Sequence, residues 1–253
     1  MTQNISLRFR MYGQSADPVS FMDQMRAALP SFNVHYILGT NAGDQSIDKA
    51  KAYGADVITA DMNKFDEPVN LMRQFAATLG MPSIFMSPGV GLQDQHVLEA
   101  LKALGRYHAL VYSWQIATQL NNGEGPGKFG YNTGKVETLE ALLNAPILPD
   151  YVNNGVLPDL KIVKDDGTIA KDAKDKSQTG GGEETEENIQ WKRRLKNARF
   201  IHNASTVLSM GAKTSTGGVG YDWKIFRKEY VAKVYLALNG MTAEEYTSSI
   251  IVL

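Results

Sequence analysis

Between residues 5 and 116, short apolar runs alternate with amphipathic stretches, and that rhythm admits few folds. "ISLRFRMYG" (5–13) alternates apolar and polar residues and reads as a half-buried first strand. "DPVSFMDQMRAALP" then predicts a helix, with Asp17 as N-cap, Pro18 at the first helical position and Pro30 closing it. "NVHYILGT" is a second strand. "DQSIDKAKAYG" is a helix with Ile47, Ala50 and Ala52 turned inward and Gly54 at its C-terminal cap. The pattern repeats through "ADVITAD" (strand), a helix beginning around Pro68, "PSIFMSPG" (strand), "QDQHVLEALKAL" (helix) and "YHALVYSWQI" (strand). Strands separated by helices of roughly 10–15 residues predict an α/β fold with a doubly wound, mainly parallel sheet flanked by helices. Ligands of such sheets bind outside the carboxyl ends of the strands, where Tyr12, Gly13, residues 39–44, Asp61 and residues 87–89 would lie.

After about residue 120 the rhythm changes. "NNGEGPGKFGYNTG" is a glycine-rich loop that fails as a phosphate-binding loop, because no glycine stands five residues before a Gly-Lys-Ser/Thr. "VETLEALLNAPILP" predicts a helix, and "LKIVKDDGTIAKD" a hairpin around Asp166 and Gly167. "AKDKSQTGGGEETEEN" is glycine-rich and highly charged, which predicts a mobile surface loop over 171–187. "IQWKRRLKNARFIHNAS" is a basic helix running into a strand, and "DWKIFRKEYVAKVYLALNG" a closing helix. The tail "SSIIVL" is apolar enough to dock on the rest. The chain divides into a 1–120 half and a 121–253 half, expected to form one continuous domain.

A chain of 253 residues buries enough surface, roughly 75% of the unfolded total, to fold without a staple. It has no cysteine, so disulfides and thiolate metal sites are excluded, and a reducing compartment suits it. The start carries charges and lacks a long apolar run, so no signal peptide, no membrane span and a cytoplasmic location are expected. The net charge of −1 exerts no global pull on nucleic acid.

Candidate chemistry is sparse. His35, His96, His108 and His202 lack metal-ligand spacing, and the Asp94–His96 pair is explained by helix capping. No Gly-x-Ser-x-Gly elbow supports a serine hydrolase. "EETEEN" places Glu183 and Glu187 on one helical face, where a solvated acidic run is the plainer explanation. "WKRRLKNAR" sets five cations around Trp191, suited to phosphate or a nucleic-acid backbone and equally to open solvent.

Taken in order, these pieces resemble the GT-A-fold glycosyltransferases of the family 2 type. "YILGTNAGDQSIDKAKAYGADV" stands where those chains carry an Asp-x-Gly-Ser-x-Asp loop and a helix closing on Gly-Ala-x-Val. "EPVNLMRQFAATLG", with Val69 and Asn70, stands where they carry an Arg-Asn pair. "SIFMSPGVGL" stands at the Asp-x-Asp strand, and "GGGEETEENIQWKRRLKNARF" at their acidic helix. "FIHNAST" follows as their histidine strand, and "IFRKEYVAKVY" as the aromatic and lysine-rich helix. The resemblance covers most of the chain, and it is the order of the motifs that carries it.

It implies a nucleotide-sugar donor, an acceptor hydroxyl on a glycan, protein or nucleic acid, and inverting displacement at the anomeric carbon, with residues 1–120 as the donor half and 121–253 as the acceptor-side half. Glu187, with Glu186 as understudy, corresponds to the general base. Met11, Tyr12, Gly13, Thr40, Asn41, Asp44, Asp61, Asn70, Ser87 and Gly89 correspond to the donor site. There are three departures. The acid that ends strand two aligns with Gly39, the Asp-x-Asp acids align with Ser87–Pro88–Gly89, and Asn188 stands where an aspartate is usual. The family's Mg²⁺ or Mn²⁺ therefore loses its usual ligands here, and no cofactor is firmly expected. Lys192, Arg193, Arg194 or His202 would then neutralise the leaving diphosphate. A chain that kept the fold and lost the chemistry, serving as a binding or assembly subunit, is the first alternative. A nucleotide-binding α/β enzyme of another class is the second.

Overall fold

The computed structural model describes residues 2–13, 16–62, 64, 66–86, 88, 91–116, 132–148, 183–203 and 236–253. Strand β1 (Gln3–Arg10) leads into helix α1 (Pro18–Ala28), whose first turn is closed by the Asp17 side chain accepting from the Ser20 N–H at 3.1 Å. Strand β2 (Phe32–Thr40) and helix α2 (Ser46–Tyr53) follow. Gly54 ends α2 at φ 96°, a left-handed conformation that costs a glycine little. Strand β3 (Asp56–Thr59), helix α3 (Asp66–Thr78), strand β4 (Ser83–Phe85), helix α4 (Asp94–Tyr107) and strand β5 (Val111–Ile116) complete the expected rhythm. Within α2 the expected inward face is partly corrected. Ser46 and Ala50 are buried while Ala52 is exposed, because a 3.6-residue period carries position 52 away from position 50.

The second half departs further. "VETLEALLNAPILP" is not one helix. Residues Asn132–Glu137 form strand β6, Thr138 caps a short helix α5 (Leu139–Leu143), and the chain then leaves helical structure. Helix α6 (Glu183–Arg194) claims the last five residues of the expected loop 171–187, and Thr185, Glu186 and Glu187 are buried in it. Residues 171–182, the expected hairpin at Asp166 and Gly167 and most of the expected closing helix lie outside the described residues. Strand β7 (Phe200–Asn203), helix α7 (Ala243–Thr247) and strand β8 (Ile250–Val252) finish the chain. The apolar tail docks as expected, adding β8 parallel to β7.

The eight strands form one sheet in the order β3-β2-β1-β4-β6-β5-β7-β8. It is parallel except at β6, which runs antiparallel to both β4 and β5. One face carries Ile5, Leu7, Phe9, Leu38, Ile84, Val136, Tyr112, Trp114 and Ile201, packed against residues of α1, α2 and α4 such as Phe21, Met22, Ala50, Val97 and Leu104. The other face meets α3, α5 and α6. Its apolar contacts are split between Ile37, Met72, Ala76 and Leu142 on one side and Val111, Ala141, Trp191 and Phe200 on the other. Between those two groups lies something other than hydrocarbon.

Candidate functional site

The carboxyl ends of β1, β2 and β3 meet in a rim stitched by its own side chains. Asp44 accepts from the Gly13 N–H at 2.7 Å and, through its other oxygen, from the Ser46 N–H at 2.9 Å. These bonds, Gly13 first, hold its carboxyl below the usual carboxylate range. Asn41 accepts from the Met62 N–H at 2.9 Å, Ala60 N–H donates to Thr40 C=O at 3.0 Å, and Met11 N–H donates to Gly39 C=O at 3.1 Å. Asp61 occupies the turn after β3, where its carbonyl accepts from the Lys64 N–H. Seven of the expected donor residues (Met11, Tyr12, Gly13, Thr40, Asn41, Asp44 and Asp61) are thus brought together, with Tyr12 half-exposed above them.

Gly39 shows why strand two ends without an acid. A Cβ built there would stand 2.6 Å from the Met72 sulfur, so α3 occupies the volume a side chain would need. Asn70 makes two bonds to one backbone residue. Its side-chain N–H donates to Leu148 C=O at 3.0 Å and its oxygen accepts from Leu148 N–H at 2.9 Å, clamping α3 to the segment after α5. Ser87 and Gly89 lie outside the described residues.

Beside this rim, between the sheet and helices α3 and α6, five charged side chains are buried together. Glu137 on β6 accepts from Arg8 of β1 at 2.5 Å and from Arg73 of α3 at 2.8 Å. Arg73 also donates to Glu187 of α6 at 2.7 Å, and Lys135 donates to the other Glu187 oxygen at 2.5 Å. Arg8 donates a further bond to the Ser83 hydroxyl at 2.8 Å. The planar faces are used as well: Arg8 lies over the Phe85 ring at 5.5 Å and Arg73 over the Trp191 ring at 5.2 Å. Arg8, Arg73 and Glu137 are fully buried, and Glu187 nearly so.

Three cations face two carboxylates, so the cluster carries an excess positive charge; one terminal nitrogen each of Arg8 and Arg73 is buried with no partner among the described residues. Burial alone would raise the Glu137 proton affinity, but Arg73, Arg8 and Lys135 outweigh it and hold the carboxyl far below its ordinary range. The two arginines diverge for a geometric reason. Burial lowers Arg8, which touches one carboxylate, whereas Arg73 spans Glu137 and Glu187 and is raised despite burial.

This arrangement gives Glu187 two cationic partners, one on each oxygen. Glu186 points elsewhere, accepting from Gln190 at 2.9 Å and Asn239 at 2.9 Å. The expected phosphate-neutralising residues fall into two groups. Helix α6 runs from the carboxyl rim of the sheet toward its amino end, because Phe200, soon after its last turn, pairs with Val111 at the start of β5. Arg194 is seven residues beyond Glu187, about 10 Å further from the rim at 1.5 Å per residue. There Arg193 bonds Asn239, with 2.6 Å to its carbonyl and 2.7 Å to its side chain, and Arg194 bonds the carbonyls of Asn144 and Ala145. Both tie loops to a helix end and stand away from the rim. His202 sits on β7 against Ser113 of β5, with Nδ1 3.2 Å from the hydroxyl.

Sequence reasoning missed Arg8, Arg73, Lys135 and Glu137. A signal existed for Arg73, which follows Val69 by four residues on the buried stripe of α3 that includes Met72 and Ala76. For Lys135 and Glu137 the signal was a period-two pattern inside "NTGKVE", masked by the glycines before it and the helix after it. Among the described residues no group of three or more His, Asp or Glu side chains is placed to hold a metal ion. The charge next to the end of β4 is cationic (Lys135 is the register partner of Phe85), and Asp44 is committed to backbone N–H groups. The described residues therefore do not fit a divalent cation.

Neither a protein-family model nor a curated protein matches the chain. Solved structures do. A mycobacterial protein matches at 13% identity with a TM-score of 0.50, over 95% of this chain and 76% of that one. That likeness is one of fold. Glucosyl-3-phosphoglycerate synthase from Mycobacterium tuberculosis, in complex with Mn²⁺, uridine diphosphate and phosphoglyceric acid, matches at 13% identity and a TM-score of 0.49, covering 95% of this chain and 80% of that one. Residues 1–349 of S. aureus TarS, in complex with UDP-GlcNAc, match at 13% identity and a TM-score of 0.49, covering 96% and 68%. No helix among the described residues is long and apolar enough to cross a membrane.

Proposed function

We propose that the protein transfers a sugar from a nucleotide-sugar donor to an acceptor hydroxyl with inversion. The observation that carries this reading is the rim at the ends of β1, β2 and β3. There Gly13, Asn41, Asp44 and Met62 are locked together by side-chain-to-backbone bonds in the crevice where α/β sheets bind nucleotides. The order of motifs along the chain supports the same reading.

In the proposed reaction the acceptor oxygen forms a bond to the anomeric carbon while the bond to the nucleoside diphosphate breaks on the opposite face. The hydroxyl proton passes to a carboxylate of α6. Glu187, which meets Arg73 through one oxygen and Lys135 through the other, is the carboxylate assigned to that role, with Glu186 as the second candidate. Lys135, whose side chain is nine-tenths buried beside the end of β4, supplies fixed positive charge on the donor side.

The engaged state of Glu187 and Glu186 also favours a second reading, a binding subunit without turnover. One set of measurements separates the two. Nucleotide sugars are screened by thermal shift with and without Mn²⁺; a donor at 100 times its dissociation constant stabilises by about 2.7 kcal/mol. Donor hydrolysis is then followed in the wild type, Glu187→Gln and Arg193→Ala, each checked for folding by circular dichroism. Turnover lost in the first variant and kept in the second supports the transferase. Stabilisation without turnover in the wild type supports the binding subunit, and no shift with any nucleotide sugar overturns both.

A further inference from the structure

At the opposite end of the sheet from the rim, below the amino ends of β5, β7 and β8, lies a cleft of about 720 Å³. Lys192, Lys196, Arg199 and His108 line it together with Ser249, and Glu140 is the one acid among its lining residues. We propose that this cleft is a binding site for the phosphate group of a small molecule, separate from the nucleotide rim and independent of the sugar-transfer reading.

Cations gathered at the end of a helix have an ordinary explanation, since the last carbonyls of α6 attract them. That explanation covers Arg193 and Arg194, which sit in the last turn of α6 and whose donors are taken by the carbonyls of Asn239, Asn144 and Ala145. It does not account for the cleft. Lys196 and Arg199 lie beyond the final residue of α6, and Lys196 makes no hydrogen bond or ion pair among the described residues. Arg199 makes one long bond, 3.4 Å to the Tyr107 carbonyl, and its other donors are left for a ligand. Lys192 reaches across the cleft to the Glu245 carbonyl and the Ser248 hydroxyl, closing one wall and adding a third positive charge. Burial lowers its proton affinity, and the Glu245 charge opposes that only partly.

Three cations against one acid among the lining residues, in a concave site of small-ligand size, favour an oxyanion that can take several charged hydrogen bonds at once. The concave shape favours a compact phosphate over an extended backbone. Trp191 offers no stacking surface for a base: it is fully buried and donates its ring N–H to the Ala141 carbonyl at 3.0 Å.

The test is calorimetric titration of the full chain with inorganic pyrophosphate, in the wild type and in the exposed-site variants Lys196→Gln, Arg199→Gln and Arg199→Lys, each checked for folding by circular dichroism. Saturable binding weakened about tenfold in each Gln variant, and largely kept in Arg199→Lys, is the expected result. Absent binding overturns the proposal. So does binding unchanged in the Gln variants, which would place the anion elsewhere, at the rim included. Tighter, variant-sensitive binding of a short single-stranded oligonucleotide would also overturn it in favour of a nucleic-acid surface.

Discussion

One sheet is packed here by two different chemistries. Under α1, α2 and α4, the residues Ile5, Leu7, Phe9, Ile84 and Val136 are fully buried against hydrocarbon. Their neighbours one position along each strand, Ser6, Arg8, Ser83 and Glu137, are also fully buried, against α3 and α6. The first face gains from non-directional transfer of apolar surface, at about 25 cal/mol per Å². The second must recover the desolvation of five charges through contact geometry, and removing one partner leaves another charge buried and unpaired. A face built by transfer tolerates substitutions of similar volume. A face built by ion pairs tolerates almost none.

The sharpest way to break this contrast is Glu137→Gln. It leaves the Arg8 and Arg73 charges without their shared carboxylate, and a loss of about 3–5 kcal/mol is expected in urea unfolding. The matching test on the apolar face is Phe9→Ala, also expected to cost about 3–5 kcal/mol. The two variants should separate by pH. Glu137 has its folded proton affinity depressed, so its contribution is complete above the unfolded value of about 4.3 and is lost as pH falls below that toward the folded value. Acid should therefore shrink the gap between wild type and Glu137→Gln while leaving the Phe9→Ala gap nearly constant.

A smaller effect sharpens the border between the two chemistries. Gly39→Ala should cost about 1–3 kcal/mol, because its Cβ meets the Met72 sulfur, and adding Met72→Ala should relieve part of that strain in a double-mutant cycle. Smallest of all, Asp17→Ala on the exposed end of α1 should cost about 1 kcal/mol, from loss of one cap.

Local signals read well where local chemistry decides. Asp17, Pro18 and Gly54 marked helix ends correctly because a cap acts within one turn of its own residue. The rim residues were legible because the ends of parallel strands follow from the strand–helix rhythm. Strand β6 was not legible. Its six residues lie between "GEGPGKFGY" and a short helix, and only pairing with β4 and β5 makes them a strand. Arg8 was read as the polar side of a half-buried strand. Alternation shows that two faces differ, and it is silent on whether the second face meets water or a helix.

The sequence by itself determined the α/β class and the order of elements through residue 116, since both follow from periodicity and capping within a few residues. The tertiary structure alone decided that Arg8, Arg73, Lys135, Glu137 and Glu187 share one buried cluster. Those residues are drawn from β1, α3, β6 and α6, up to 179 positions apart between Arg8 and Glu187. A charge's partner is set by proximity in space, and no pattern in the neighbouring sequence announces a contact made across such a distance.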